Sequence, residues 1–190
     1  MAIFDFLASL LSKFLRSENW TVEDILSSIT IILSIAGGVF AYRQWTVSNK
    51  TKRTELIKQI MEQLRFDKEM VDTIYLLEYD DMWYDGNFHN RDDDLEYRID
   101  KLLSYLSYIC YLKKENNISN KEFRILMYEV NRVCTSPCIQ SYLWNLYHFS
   151  REEGVECSFQ YLIDYGISNK LIDQSFLNAG CCLYEKTLNF

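Results

Sequence analysis

Proline occurs once and glycine six times in 190 residues, too little punctuation for a sheet-rich protein, which needs a turn roughly every eight to twelve residues. Helices are therefore expected to dominate. Histidine occurs only as His89 and His148, and no Walker loop, dinucleotide fingerprint, nucleophile elbow or zincin motif is present. Positive charge is also in deficit. The net charge of −7 offers no chain-wide attraction for a polyanion, so nucleic acid is not an expected partner. What is present is an ordinary globular balance, 48% apolar and 25% charged residues, enough for one domain with a core and a short appendage. Six cysteines make an even set, but the chain is too large and apolar for a small disulfide scaffold. They are read as reduced thiols of a cytosolic domain.

The longest uncharged run is Ile25 to Tyr42, ILSSITIILSIAGGVFAY, eighteen residues, at the lower limit for crossing a hydrocarbon core at about 1.5 Å per residue. Trp20 and Trp45 flank it, twenty-five residues apart, so on one helix they sit about 37 Å from each other. With Tyr42 and Arg43 they make suitable interfacial anchors. Thr21 and Asp24 form a capping-box variant at the start of the run. Ser27, Ser28, Thr30 and Ser34 dilute its apolarity and keep a buried soluble helix as the competing assignment. Arg43, Lys50, Lys52, Arg53 and Lys58 follow the run, against Lys13 and Arg16 before it, which places the C-terminal side in the cytoplasm. The expected location is a cell membrane, crossed once. Ser34 with Gly38, and Gly37 with Ala41, set small residues four apart, where a second helix could approach closely. Self-association through the span is the expectation.

Residues 1–16 carry Ile3, Phe4, Leu7, Leu10, Leu11 and Phe14 at helical spacing, an amphipathic helix expected to lie in the membrane interface. A positive leader and a small-residue cleavage site, the marks of a signal peptide, are not evident. The organisation predicted is an interfacial helix over 1–20, a transmembrane helix over 21–45, a cytosolic helical domain over 46–178 and a tail over 179–190.

Within the domain, the helix leaving the span is predicted to continue to about Leu77, with Leu56, Ile60, Leu64, Met70, Ile74 and Leu77 as its apolar stripe. The aromatic and acidic stretch from Asp80 to Arg91 reads as a loop. Asp92, Asp93 and Asp94 suit a helix N-terminus, and that helix runs to about Lys114 on Leu95, Ile99, Leu102, Leu103, Leu106, Ile109 and Cys110. Asn116 and Asn117 end it. Ser119 and Glu122 cap a helix facing inward with Phe123, Leu126, Met127, Val130 and Val133. Ser136 and Pro137 open the next, which carries Leu143, Leu146 and Phe149 and stops near Gly154. A short helix from Ser158 to Tyr165 ends at Gly166, and Ser168 opens a last one to about Leu177. The fold class is all-α, a bundle of about five helices.

Chemistry is harder to place. Asp80, Asp81, Asp85, His89 and Asp92 offer oxygen ligands to a divalent cation, but solvated loop carboxylates and a helix cap explain them more simply. Cys134, Cys138, His148 and Cys157 could ligate zinc, yet their spacing follows no established zinc pattern. Neither a metal nor a cofactor is expected. Cys181 and Cys182 suit lipidation, or packing of two small apolar thiols into the bundle. Lys121, Arg124, Tyr128, Asn131 and Arg132 share one helix face, and Tyr97, Tyr105, Tyr108 and Tyr111 supply polar aromatics on another. Cations with aromatics can bind a phosphorylated or nucleotide-like ligand, so Lys121, Arg124, Tyr128 and Arg132 are the candidate ligand residues. A solvated face beside half-buried tyrosines is the plainer alternative.

The short span, the QWTVSNKTKR stretch behind it, the long helix ending in IYLLEYDD and the helical remainder resemble a group of poorly characterised bacterial single-span membrane proteins. The resemblance covers about residues 25–165 and implies no catalytic residues. The chain is therefore expected to be a membrane-anchored, non-enzymatic interaction or regulatory protein, with the bilayer and an unidentified cytosolic protein or small ligand as partners. A ligand-gated membrane effector, as in prokaryotic antiviral defence, is the first alternative, and it predicts that Arg124→Ala abolishes the response. A metal-dependent enzyme is the second.

Overall fold

The computed structural model describes residue 12, residues 21–79, residue 84 and residues 93–184. The expected interfacial helix, the anchor Trp20 and most of the 80–91 loop lie outside them. All the regular structure among the described residues is helical: α1 (Val22–Arg65), α2 (Lys68–Tyr79), α3 (Asp93–Lys114), α4 (Asn120–Thr135), α5 (Pro137–Glu152), α6 (Gln160–Ser168) and a 3-10 turn (Gln174–Leu177). The chain divides into two compact units, Met1–Lys52 and Arg53–Phe190.

In the first unit α1 starts on a reciprocal cap. The Asp24 amide donates to Thr21 Oγ1 at 3.3 Å, and the Thr21 amide donates to Asp24 Oδ2 at 3.1 Å, satisfying two groups that a helix start leaves open. An eighteen-residue window of the helix has a mean hydropathy of 2.0 and no buried residue. α1 is thus long and apolar enough to cross a membrane. The hydroxyls that dilute the run are mostly turned inward: Ser28 donates to the Asp24 carbonyl at 2.6 Å, Thr30 to Leu26 at 2.9 Å and Ser34 to Thr30 at 2.8 Å. These three hydroxyls are satisfied within the helix, the condition for residing in hydrocarbon, while Ser27 is exposed. Ser34, Gly37, Gly38 and Ala41 are all exposed, and open space surrounds both glycines. Tyr42 and Trp45, also exposed, bring their rings to 6.2 Å.

In the second unit, α1 buries Ile57, Ile60 and Leu64 and ends at Arg65. The continuous helix expected to Leu77 is therefore two helices. Asp67 makes the break: its Oδ1 accepts the Met70 amide at 3.0 Å and its carbonyl the Val71 amide at 3.0 Å, capping α2. The stripe itself explains why. Leu56, Ile60 and Leu64 call for an apolar residue near 67 or 68, but Asp67 and Lys68 stand there, and a fresh start brings Met70, Ile74 and Leu77 back into the core.

α3 has the expected bounds and buries Ile99, Leu102, Leu103, Leu106, Ile109 and Cys110. Asn116 closes it at φ 57°, with the Asn117 amide donating to the Leu112 carbonyl at 2.9 Å. α4 starts on the expected Ser119–Glu122 capping box. Its inner face is rotated from the expected one: Met127 is exposed, while Glu129 and Cys134 are buried. The buried set 123, 126, 130 and 133 centres the face away from 127, and Arg65 Nε, at 3.0 Å from Glu129 Oε1, makes burial of a carboxylate tolerable.

α5, opened by Ser136 and Pro137 as expected, is covered on most sides, burying Ile139, Tyr142, Leu143, Trp144, Asn145, Tyr147 and His148. Leu146 and Phe149, expected inside, are half-buried. α6 packs most extensively on α3. Gly166 does not end it but lies inside it, where an added Cβ would come within 2.5 Å of Ile172 Cδ1. The close approach, not the turn, is what needs glycine. Reversal occurs at Lys170, φ 58°, with the Leu171 and Ile172 amides both donating to the Gly166 carbonyl. The helix expected from Ser168 is absent; only the 3-10 turn forms, capped by Asp173, whose Oδ1 accepts the Ser175 amide at 2.7 Å. The tail packs through an aromatic and through one of its two thiols, the half-buried Cys181. Tyr184 is buried against Trp144 and Phe176, each at 5.7 Å, whereas Cys182 is exposed.

Candidate ligand cleft

Three helix ends converge on one side of the second unit: the last turn of α3, the last turn of α5 and the first turn of α6. α5 ends on Gly154 at φ 69°, and the Val155 amide returns to the Ser150 carbonyl at 2.9 Å. The connection is held down by buried Phe159 and by Ser107, whose hydroxyl donates to the Ser158 carbonyl at 3.3 Å. α6 therefore starts beside the α3 terminus. Lys113 and Lys114 close α3, and Arg151 closes α5, the usual sign of charge at a helix C-terminus.

Lys114 Nζ lies 3.2 Å from Asp164 Oδ2 and 5.0 Å above the Tyr161 ring. Gln160 Nε2 donates to the other Asp164 oxygen at 2.6 Å, fixing that carboxylate. Arg151 lies over Tyr147, its Cζ 5.6 Å from the ring centre, and among the described residues no carboxylate pairs with it. Tyr161 is braced edge-on by Tyr111 at 5.0 Å, on which Tyr108 stacks at 6.3 Å. Between these groups are two concavities sharing Lys114 and Tyr161. One, of about 310 Å³, is walled by Tyr147, Arg151, Glu156 and Gln160; the other, of about 380 Å³, by Cys110, Lys113, Asp164 and Tyr165. Burial pushes the Tyr165 hydroxyl up to about 12, and it donates to Asn131 Oδ1 at 2.8 Å.

The candidate ligand residues on α4 are arranged differently. Lys121, Arg124 and Tyr128 are exposed, and Arg132 lies over Tyr128 with its Cζ 6.0 Å from the ring centre. That pair is brought together. None of the four lines the two concavities. Of the α3 tyrosines, Tyr108 and Tyr111 pair near the cleft, whereas Tyr97 lies about 21 Å back along the helix and is exposed.

The possible zinc ligands are not gathered, and among the described residues no three His, Cys, Asp or Glu side chains cluster. His148 Nε2 is 2.9 Å from the Phe176 carbonyl, and its ring lies 4.6 Å from Trp144. Burial pushes the thiols of Cys110, Cys134 and Cys157 up, Cys134 to about 12, so they stay protonated at neutral pH and are poor nucleophiles. No motif or spacing in the sequence links Lys114, Tyr147, Arg151 and Tyr161. The basic last turns were legible there, but the meeting of two helix ends depends on the tertiary fold. No family model, curated protein or solved structure matches this chain.

Proposed function

We propose that this chain is a single-pass membrane protein whose second unit is a cytosolic, non-enzymatic interaction or regulatory domain. The observation that carries the reading is the bare apolar surface of α1, with no residue of its best eighteen-residue window buried. A run of this size left in water would expose far more contiguous apolar surface than soluble proteins tolerate, and a bilayer removes that cost. The inward-bonded Ser28, Thr30 and Ser34 support the same reading. Basic residues Arg43, Lys50 and Lys52 after the run favour the C-terminal side as cytoplasmic. The buried, protonated thiols and the tethered His148 support a non-enzymatic role.

The test is fractionation of cells expressing the full chain with a C-terminal tag, followed by a carbonate wash and protease treatment of inside-out vesicles. Retention in the pellet with loss of the tag is expected. Release by carbonate would remove the span, and a protected tag would reverse the orientation. A second reading, a ligand-gated membrane effector, is favoured by the cleft; it requires a ligand that binds two states with different affinity.

A further inference from the structure

We infer that the cleft between the ends of α3 and α5 and the start of α6 binds a small monophosphorylated compound carrying a flat ring, with the size and charge of a nucleoside monophosphate. This goes beyond the anchoring proposed above and does not depend on it. The cavity of about 310 Å³ falls at the lower end of the range that small-molecule sites occupy. Arg151 is the phosphate residue. Its Cζ lies over the Tyr147 ring, 5.6 Å from the centre, and with no carboxylate partner among the described residues its N–H groups are left for an anionic acceptor. Lys114 adds a second positive charge in the same wall, held by Asp164 and by the Tyr161 ring. Tyr161, 36% exposed and lining both concavities, supplies an aromatic contact for the ring beside the Lys114 ammonium. Glu156, which has no cationic partner among the described residues, lies in the same wall and can accept hydrogen bonds from sugar hydroxyls or an exocyclic amine.

The carboxylates set an upper limit on ligand charge. Glu156 and Asp164 stand among Lys114, Arg151 and Lys113, so a triphosphate would bring surplus negative charge against them. The rival account is that Lys114 and Arg151 merely offset the C-terminal dipoles of their helices. Such charges need no cavity, no shared tyrosine and no glutamine-fixed carboxylate between them.

The experiment is isothermal titration of the full chain in neutral-detergent micelles with AMP, adenosine, inorganic phosphate and ATP. AMP should bind more tightly than the other three. Arg151→Ala should weaken AMP by about 10-fold or more, the value of a charge-assisted hydrogen bond, and Tyr161→Leu should weaken AMP while leaving inorganic phosphate unchanged. Should Arg151→Ala lose its near-UV circular dichroism, Arg151→Gln, which keeps an aliphatic stem over Tyr147, gives the same reading. No heat with AMP at millimolar concentration, or unchanged AMP affinity in the Arg151 variants, overturns the inference. Phosphate or ATP binding as tightly as AMP refutes the ligand class, and loss with Arg124→Ala in place of Arg151→Ala moves the site to the α4 face.

Discussion

Gly166 offers a sharp test of the way α6 meets the segment that follows it. A methyl group there would lie 2.5 Å from Ile172 Cδ1, 2.8 Å from Cγ1 and 3.5 Å from Cβ. Ile172 is only 1% exposed, so it has little room to yield. Overpacking of this kind costs about 1–3 kcal/mol, while replacing a mid-helix glycine by alanine returns about 1 kcal/mol of helix propensity. Gly166→Ala alone should therefore destabilise by about 1 kcal/mol. Ile172→Ala deletes both clashing atoms and leaves Cβ at an ordinary 3.5 Å, at its own cost of about 2–5 kcal/mol. In that background the sign should reverse, with Gly166→Ala now stabilising by about 1 kcal/mol, a coupling of about 2 kcal/mol between the sites. Guanidinium titration of the full chain in neutral micelles, followed by near-UV circular dichroism, reads the midpoints at constant slope. If Gly166→Ala stabilises the unaltered chain, or the coupling is under about 0.5 kcal/mol, α6 does not pack on Ile172 as described.

Two further outcomes follow from the charged groups around α4. Arg65→Ala should cost about 2 kcal/mol in the same titration, below the range of about 3–5 kcal/mol for breaking a fully buried pair, because the Arg65 side chain is 44% exposed whereas that of Glu129 is 10%; adding Glu129→Gln should restore part of the loss, and no restoration would refute the pairing. Ser119→Ala should cost about 1 kcal/mol and flatten the acid limb of stability, because the Ser119 hydroxyl and amide, then Arg53, hold the Glu122 carboxyl below its ordinary value of 4.5. With a depressed folded value, that contribution is present above 4.5 and is lost as pH falls through the lower value, so urea midpoints should converge for the two chains in acid.

Element identity was legible where a local signal acted alone. The capping box at Ser119, the Ser136–Pro137 start and the α3 stripe each specify structure within a few residues, and all appear as read. Sequence and structure part where the deciding contact is distant. Gly166 resembles a helix stop in sequence because glycine commonly follows helix ends, but its role is to admit Ile172, six residues on. Glu129 reads as a surface residue until Arg65, 64 positions earlier, is brought to it. The cleft belongs to this second class, since Lys114, Arg151 and Tyr161 occupy three helices and share no motif.

The same distinction explains why α1 carries hydroxyls and α5 does not need to shed its polar groups. A polar side chain can be withdrawn from an apolar environment by a partner in its own helix, as Thr30 is by the Leu26 carbonyl at 2.9 Å; this solution is available before any tertiary structure exists. Alternatively it can be satisfied by a remote group, as Tyr142 is by Asp100 at 2.7 Å and Gln140 by the Leu171 carbonyl at 3.1 Å, which requires the bundle to be assembled. Within Ile25–Tyr42 the side-chain bonds of Ser28, Thr30 and Ser34 are all of the first kind. A helix entering lipid must satisfy its polar groups without help from the domain, and the local bonds of Ser28, Thr30 and Ser34 meet that requirement, whereas Tyr142 and His148 of α5 find their partners only once the second unit is folded.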